Sequence, residues 1–173
     1  MHAREAWLKG LRQKQNRDVP QLMYHRVYQL KQQFPDLHIS LNGGVKTLDD
    51  VQCHLNHVDG VMIGREVYSN PYILAEVDQR FYQDNSVRKT RAEVVMAMLP
   101  YIEQQIARGV RPWSIARHML GLFQGQPGGR IWRRYLSQNG TKANAGVELL
   151  TDALEVLLEA QSKAKQCQAE VIS

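Results

Sequence analysis

Two glycine-containing turns lie where a protein could bind a phosphate group. Asn42-Gly43-Gly44 follows the strand-like segment Leu37–Leu41, and Gly64-Arg65 follows the apolar run Val61–Ile63. Ligands of parallel α/β sheets bind at the carboxyl ends of strands, and the loops after the last two strands of a barrel commonly form a phosphate site. Glycines let backbone N–H groups approach an anion closely, and Arg65 adds a charge-assisted hydrogen bond. Either turn alone is typical of simple chain reversal, so the prediction depends on their order on consecutive strands.

A third candidate site begins at Gly128-Gly129, which leads into a predicted helix containing Arg130 and Arg133. Two residues three positions apart on a helix share a face, where like charges repel unless an anion neutralises them. This pattern predicts phosphate binding. The alternative is that both arginines pair with acidic residues such as Glu148 or Asp152 and serve only the fold.

Two aromatic residues, Trp132 and Tyr135, are interleaved with these arginines. Their rings could stack on nucleobases, but aromatic residues at helical spacing more often pack inside the protein. We therefore predict that they anchor the helix in the core.

The charge of the chain permits a polyanionic partner without requiring one. Twenty-two Lys and Arg residues stand against 17 Asp and Glu, which gives a formal net charge of +5. Part of this surplus lies in the N-terminal segment 1–20, which is predicted to be a loop, at Lys9, Arg12, Lys14 and Arg17. Such a cluster is usually a solvated loop, and it gains interest because a second basic cluster follows later in the chain.

Composition excludes several classes of protein. Hydrophobic residues make up 43% of the chain, which is enough for a packed core. No apolar run approaches the roughly 18 residues of a membrane span, and the charged N-terminus does not resemble a signal peptide. The two cysteines, Cys53 and Cys167, are far apart and match no metal or redox spacing. We expect a reduced, cytoplasmic protein without a metal site.

The first half of the chain alternates between helical and extended patterns. The predicted order is helix 22–34, strand 37–41, helix 47–57, strand 61–63 and a helix after Pro71. Thr47 is the predicted N-cap of the second helix, with Asp49 and Asp50 in its first turn. The apolar strand 61–63 is expected to be buried on both faces. Strands alternating with helices imply a parallel sheet, and two strands are too few for one, so further strands must lie outside this sequence.

After residue 85 every segment has a helical pattern. The predicted helices are 87–107, 113–123, 128–136 and 145–160, and Pro100 should kink or break the first. The tail after Lys163 is expected to fray.

Several motifs follow one another along the chain: His2-Ala3-Arg4, Asn42–Thr47, Asp59–Arg65, Asn70-Pro71-Tyr72 and Gly128-Gly129-Arg130. Together, and in this order, they resemble the tRNA-dihydrouridine synthase family. The stretch Leu120–Gly128 resembles the A type in particular. The resemblance covers nearly the whole chain.

The resemblance implies an α/β fold: the C-terminal part of a (β/α)8 TIM barrel, followed by an all-α helical domain. On this reading, residues 1–85 are the last part of an FMN-binding barrel, 86–165 a tRNA-binding helical domain, and 166–173 a flexible tail. The implied FMN-binding residues are His2, Asn42, Gly43, Gly44, Gly64 and Arg65. The implied tRNA-binding residues are Lys14, Arg17, Arg130 and Arg133.

The resemblance also implies a reaction, the reduction of uridine to 5,6-dihydrouridine in the tRNA D-loop, at positions 20 and 20a for the A type. Such enzymes are FMN-dependent, use NADPH and are expected to be monomers when full-length. The family's proton-donating cysteine lies on a barrel strand before the His-Ala-Arg motif, and neither Cys53 nor Cys167 is at a matching position. The chain alone is therefore expected to be an inactive fragment. The alternatives are a non-catalytic tRNA-binding helical module with a vestigial barrel, and another phosphate-binding barrel that shares the last two strands.

Overall fold

The computed structural model describes residues 1–7, 9–16 and 18–172, which form two compact units. The first unit is Met1–Val67, and the second begins at Tyr68. The first contains, in chain order, α1 (Gln13–Asn16), α2 (Tyr24–Gln33), β1 (Ser40–Asn42), α3 (Leu48–Leu55) and β2 (Gly60–Met62). A short helix, α4 (Arg65–Ser69), spans the division between the units.

The sheet of the first unit is parallel, as the alternating pattern predicted. Strands β1 and β2 pair in the register Ser40↔Gly60 and Asn42↔Met62, and α3 connects them. The side chain of Leu41 at the centre of β1 is fully buried. The α/β organisation is thus present, while the closed barrel remains a prediction.

Residues 1–3 extend the sheet on the other side of β1, so the prediction of a loop there was wrong. His2 forms a parallel bridge with Asn42. The N–H of Ala3 donates to the carbonyl of Asn42 at 2.7 Å, and the N–H of Asn42 donates to the carbonyl of Met1 at 2.8 Å. These backbone bonds depend on distant residues, and the short polar segment has no apolar alternation by which to detect it.

The prediction that strand 61–63 is buried on both faces was also wrong. Val61 and Ile63 are only partly buried, and Met62 is 49% exposed. Within the described residues β2 has a strand beside it on one side only, where β1 lies.

Polar contacts hold the starts of both strands together. The Lys31 ammonium at the end of α2 donates to the carbonyls of Pro35 and Leu37 at 2.8 and 2.9 Å, and it pairs with Asp59 at 2.8 Å. Asp59 also accepts from the N–H of Ile39 at 2.8 Å. The two hydrogen bonds, from Ile39 first and Lys31 second, keep the pKa of the Asp59 carboxyl below its usual value.

The second unit is helical. Its α-helices are α5 (Val77–Phe81), α6 (Arg91–Ala107), α7 (Pro112–Ala116), α8 (Gly129–Asn139) and α9 (Glu148–Ile172), with 3₁₀ turns at Pro71–Glu76 and Arg117–Met119. Pro100 lies inside α6 without ending it. Helix α9 extends to Ile172, into the segment for which the sequence predicted a flexible tail.

The single helix predicted for residues 113–123 was wrong. The chain forms α7, then a 3₁₀ turn, and then a run of turns from Leu120. A Cβ atom at Gly121 would lie 2.1 Å from the carbonyl oxygen of Ser69, so a tertiary contact fixes the chain path here. Local sequence periodicity does not report such a contact.

The core of the second unit lies among α6, α8 and α9. Its fully buried side chains are Val95, Ile102, Trp132, Leu136, Leu150 and Leu157. Tyr72 also packs against this core, which explains why residues 68–85 group with the helical unit. A domain boundary at residue 85 stays a prediction, because compactness alone divides the chain between Val67 and Tyr68.

Candidate functional site

The turn after β1 requires both of its glycines. Gly43 has φ +129° and Gly44 has φ +76°, conformations that L side chains rarely adopt. A Cβ atom at Gly44 would lie 2.5 Å from Leu22 Cδ1 and 2.8 Å from Tyr24 Oη. The Tyr24 hydroxyl donates to the carbonyl of Gly43 at 2.8 Å and so stabilises the turn.

His2 lies against this turn because its backbone pairs with Asn42. Its Cε1 atom is 3.3 Å from the position of a Cβ at Gly43. The N–H of Arg4 donates to His2 Nδ1 at 3.1 Å, so a neutral His2 carries its proton on Nε2. The structure therefore brings together four of the predicted cofactor residues: His2, Asn42, Gly43 and Gly44.

Gly64 and Arg65 follow β2 at the same edge of the sheet. Since Asn42 pairs with Met62, Gly64 lies two residues beyond the end of the paired strands. A Cβ at Gly64 would meet only Met62 Sδ at 3.6 Å, an ordinary contact, so packing does not require this glycine. Arg65 begins α4, where its guanidinium pairs with Asp18, and both side chains are at least half exposed.

At the N-terminus of the neighbouring helix α3, by contrast, a capping box already bonds backbone N–H groups. Thr47 is the N-cap of α3, as predicted, and accepts from the N–H of Asp50 at 3.0 Å. The Asp50 carboxylate accepts from the N–H groups of Lys46 and Thr47 at 3.2 and 3.0 Å. The Thr47 side chain is the main cause that lowers the pKa of the Asp50 carboxyl, and the N–H groups of Lys46 and Thr47 lower it further. An anion would therefore meet a carboxylate at α3, whereas at the glycine turn the N–H of Gly44 has no protein acceptor among the described residues.

The second candidate site lies on α8, where the arginine side chains are exposed. Arg133 donates to Gln124 Oε1 at 2.9 Å. Among the described residues, neither Arg130 nor Arg133 forms an ion pair, so the predicted alternative of pairing with Glu148 or Asp152 is not seen.

The aromatic residues of α8 anchor the helix, as predicted. Trp132 is fully buried, packs on Phe123 with ring centroids 4.9 Å apart, and donates from Nε1 to the Met119 carbonyl at 2.9 Å. Tyr135 is partly buried, and its hydroxyl donates to Asp152 at 3.3 Å. Burial, followed by the nearby Asp152, raises the pKa of the Tyr135 phenol.

The glycines that precede α8 pack against neighbouring elements. A Cβ at Gly128 would lie 2.4 Å from Leu157 Cδ1, and one at Gly129 would lie 2.2 Å from the carbonyl oxygen of Phe123. Because neither glycine has a side chain, the start of α8 can pack closely against α9 and the preceding turn. These glycines therefore have a packing role as well as the predicted role in anion binding.

The N-terminal basic loop is only partly described. Lys14 is exposed on α1, and Arg17 lies outside the described residues. Arg4 holds the end of the loop, since its guanidinium donates to the carbonyls of Asp18, at 3.1 Å, and Pro20. Sequence reasoning missed this role of Arg4, as well as those of Leu22 and Tyr24 beneath the glycine turn, because each depends on residues distant in the sequence.

The described parts of the chain show neither a metal site nor a membrane span. No group of three or more His, Cys, Asp or Glu side chains is placed there to hold a metal ion. No helix there combines the length and the apolar composition needed to cross a membrane.

Comparison with known proteins identifies relatives over most of the chain. The family model described as "Dihydrouridine synthase (Dus)" matches residues 1–161. Curated proteins named tRNA-dihydrouridine(20/20a) synthase are similar to this chain. The protein of Vibrio parahaemolyticus is 55% identical over 89% of this chain and 47% of its own length. Those of Haemophilus ducreyi and Escherichia coli K12 are 53% and 52% identical, each over 92% of this chain, and over 49% and 46% of their own lengths. The chain spans about half the length of the curated relatives that it matches. It belongs to the dihydrouridine synthase family.

Proposed function

We propose that this chain forms the part of a tRNA-dihydrouridine(20/20a) synthase that holds the phosphate of FMN and binds tRNA, in an NADPH-dependent oxidoreductase of the cytoplasm. One observation carries the proposal: the folded chain brings His2 and the Asn42-Gly43-Gly44 turn together at the carboxyl edge of a parallel sheet. The relatives' names supply the reaction and the target positions.

The residues at this edge suit a phosphate group. The N–H group of Gly44 supplies an uncharged donor, and His2, whose Nδ1 accepts from the Arg4 N–H, can donate from Nε2. Arg65 supplies a positive charge, and its exposed pair with Asp18 costs little to exchange for a phosphate contact. When bound, FMN would supply the hydride for uridine reduction.

The residues on α8 suit a nucleic-acid backbone. Arg130 and Arg133 are exposed on a helix that Trp132 fixes to the core, so their positions are held while their charges face solvent. Together with Lys14 and Arg17, they are the proposed tRNA contacts. Salt-dependent phosphate contacts of this kind orient an RNA without reading its sequence.

Comparison of FMN with riboflavin, which lacks the phosphate, tests the flavin part of the proposal. The full chain is expected to bind FMN more tightly than riboflavin in a fluorescence-quenching titration. Arg65→Gln should reduce this preference by about tenfold, because a charge-assisted contact is worth about 1.5 kcal/mol or more.

Arg26→Gln is the matched control, since it removes one exposed arginine from α2 in the same unit and should leave the preference unchanged. Equal affinity for FMN and riboflavin in the parent chain would show that the glycine turn does not hold the phosphate.

A second candidate function is tRNA binding by the helical unit without flavin chemistry. The observation that favours it is the core of that unit, which its own helices supply and which includes the fully buried Trp132 and Leu150. A chain that binds tRNA but neither flavin would support this alternative.

A further inference from the structure

A tyrosine, a histidine and an arginine that have no role in the sites described above form an exposed cluster in the second unit. The Tyr68 hydroxyl lies 3.0 Å from His118 Nδ1, and the two rings meet edge to face with centroids 5.7 Å apart. Arg117 donates from Nε to His118 Nε2 at 3.2 Å. Tyr68 stays 63% exposed despite these contacts.

The hydrogen bonds define the orientation of all three side chains. Since His118 Nε2 accepts from Arg117, a neutral imidazole must carry its proton on Nδ1 and donate it to the Tyr68 oxygen. The Tyr68 ring is therefore held in place without being covered. The two terminal amino groups of Arg117 have no acceptor among the described residues, which leaves four N–H donors for a ligand.

Two members of the cluster, Arg117 and His118, lie in a part of the chain that contains basic residues and no acidic ones. Between Glu103 and Glu148 the sequence has no Asp or Glu, and it has seven basic residues: Arg108, Arg111, Arg117, Arg130, Arg133, Arg134 and Lys142. The whole chain has a formal charge of +5, so the remainder of the chain is net negative. This segment is one of two concentrations of positive charge that a polyanion would meet, the other being the N-terminal loop that contains Lys9, Arg12, Lys14 and Arg17.

The same segment connects the cluster to the arginines of α8. It passes from His118 to Gln124, whose side chain accepts from Arg133. Gln124 lies six positions after His118, so their Cα atoms are at most about 22 Å apart even in a fully extended chain. The cluster and Arg133 therefore lie within the length of a few nucleotides.

We propose that Tyr68, Arg117 and His118 form a second RNA-contact site, in which the Tyr68 ring stacks on an unpaired nucleobase and Arg117 binds an adjacent phosphate. His118 is a positioning residue that fixes the other two. An aromatic face beside a cation is the combination that binds single-stranded nucleic acid. The inference rests on the proposed function, that the chain binds tRNA, and adds a site for a base to the phosphate contacts on α8.

Binding of an unmodified tRNA transcript to the full chain, at two or more salt concentrations, tests the site. Stacking measured by alanine substitution corresponds to about 5- to 150-fold in affinity. Tyr68→Ala should therefore weaken binding at least about fivefold with an unchanged salt slope, whereas Tyr68→Trp, which keeps a stacking ring, should bind within about twofold of the parent. Arg117→Gln should lower the slope by about one.

Two substitutions in the same unit are matched controls. Tyr101→Ala removes another tyrosine, 49% exposed on α6, and Arg88→Gln removes an arginine that pairs with Glu76. Both should bind tRNA as the parent does. Equal losses in Tyr68→Ala and Tyr101→Ala would overturn the proposal, because they would show no specific stacking position.

The outcome for the α8 arginines separates this inference from the proposed function. If Arg130→Ala/Arg133→Ala weakens binding while Tyr68→Ala and Arg117→Gln bind as the parent does, the second site is wrong and tRNA binding stands. If the parent chain does not bind tRNA, both are wrong.

Discussion

Gly44 and Gly64 occupy equivalent places after two paired strands, but only Gly44 is required by the structure. Alanine at residue 44 would adopt a left-handed conformation, at about 1–2 kcal/mol, and would press its Cβ against Leu22 and Tyr24. We predict that Gly44→Ala lowers the free energy of unfolding by about 2 kcal/mol or more.

Gly64→Ala is the internal comparison, and its effect should stay within about 0.5 kcal/mol because the new methyl group meets only Met62. Urea unfolding followed by NMR signals of the first unit measures both changes. Equal destabilisation by the two substitutions would contradict the geometry of the turn.

His54 gives the first unit a dependence on pH. Its ring is buried between two tyrosines. The ring centroids of His54 and Tyr24 are 4.5 Å apart, and the Tyr28 hydroxyl lies 2.6 Å from His54 Nδ1. Burial is the main cause that lowers its pKa, while the Asp50 charge opposes the shift. The folded state thus binds fewer protons than the unfolded state in the window between the unfolded pKa, about 6.5, and the lowered folded pKa.

The stability of the first unit should therefore fall as the pH decreases from 7.5 through this window. His54→Asn, which keeps an acceptor near the Nδ1 position, should remove most of that dependence, and His25→Asn on exposed α2 should not. Unfolding free energies at pH 7.5 and 5.5 provide the measurement. If the free energy of unfolding of His54→Asn depends on pH as that of the parent does, groups other than His54 cause the dependence.

Among the secondary-structure elements, helix α8 is proposed to contact the RNA backbone through Arg130 and Arg133. Each phosphate contact contributes about one unit to the dependence of log affinity on log salt concentration. Arg130→Ala/Arg133→Ala should therefore lower the slope for tRNA binding by about two. Arg26→Ala/Lys163→Ala removes the same charge elsewhere and should change the slope little. A parental slope in the first double variant would show that α8 does not contact the RNA backbone.

The elements that sequence predicted well are those whose causes are local. The cap of α3 was predictable because Thr47 and Asp50 lie three residues apart and bond within one turn. The anchoring role of Trp132 followed from its spacing along a single helix. The pairing of His2 with Asn42 and the turns around Gly121 were missed because each depends on a residue forty or more positions away. The candidate site was thus predictable by residue type, but its supports were not.

For the whole molecule, we predict unequal stability of the two units. The second unit has a core of large, fully buried side chains, whereas β2 in the first unit leaves Met62 half exposed. A parallel sheet with an uncovered edge is expected to open locally or to associate through that edge. Amide hydrogen exchange should be slow along residues 95–157 and faster along 37–63.

Sedimentation at the same protein concentration is the control, because association through the sheet edge would also slow exchange. Slow exchange throughout residues 37–63 in a monomer would contradict this prediction.

The absence of acidic residues between Glu103 and Glu148 also has a kinetic consequence. The acids that follow, Glu148, Asp152, Glu155 and Glu159, lie exposed along α9 in the same unit. The basic segment carries a net positive charge, whose field attracts a polyanion before any contact forms. An approaching RNA would then meet the basic segment more often than random collisions allow, and the association rate, as well as the affinity, would fall as salt screens that field.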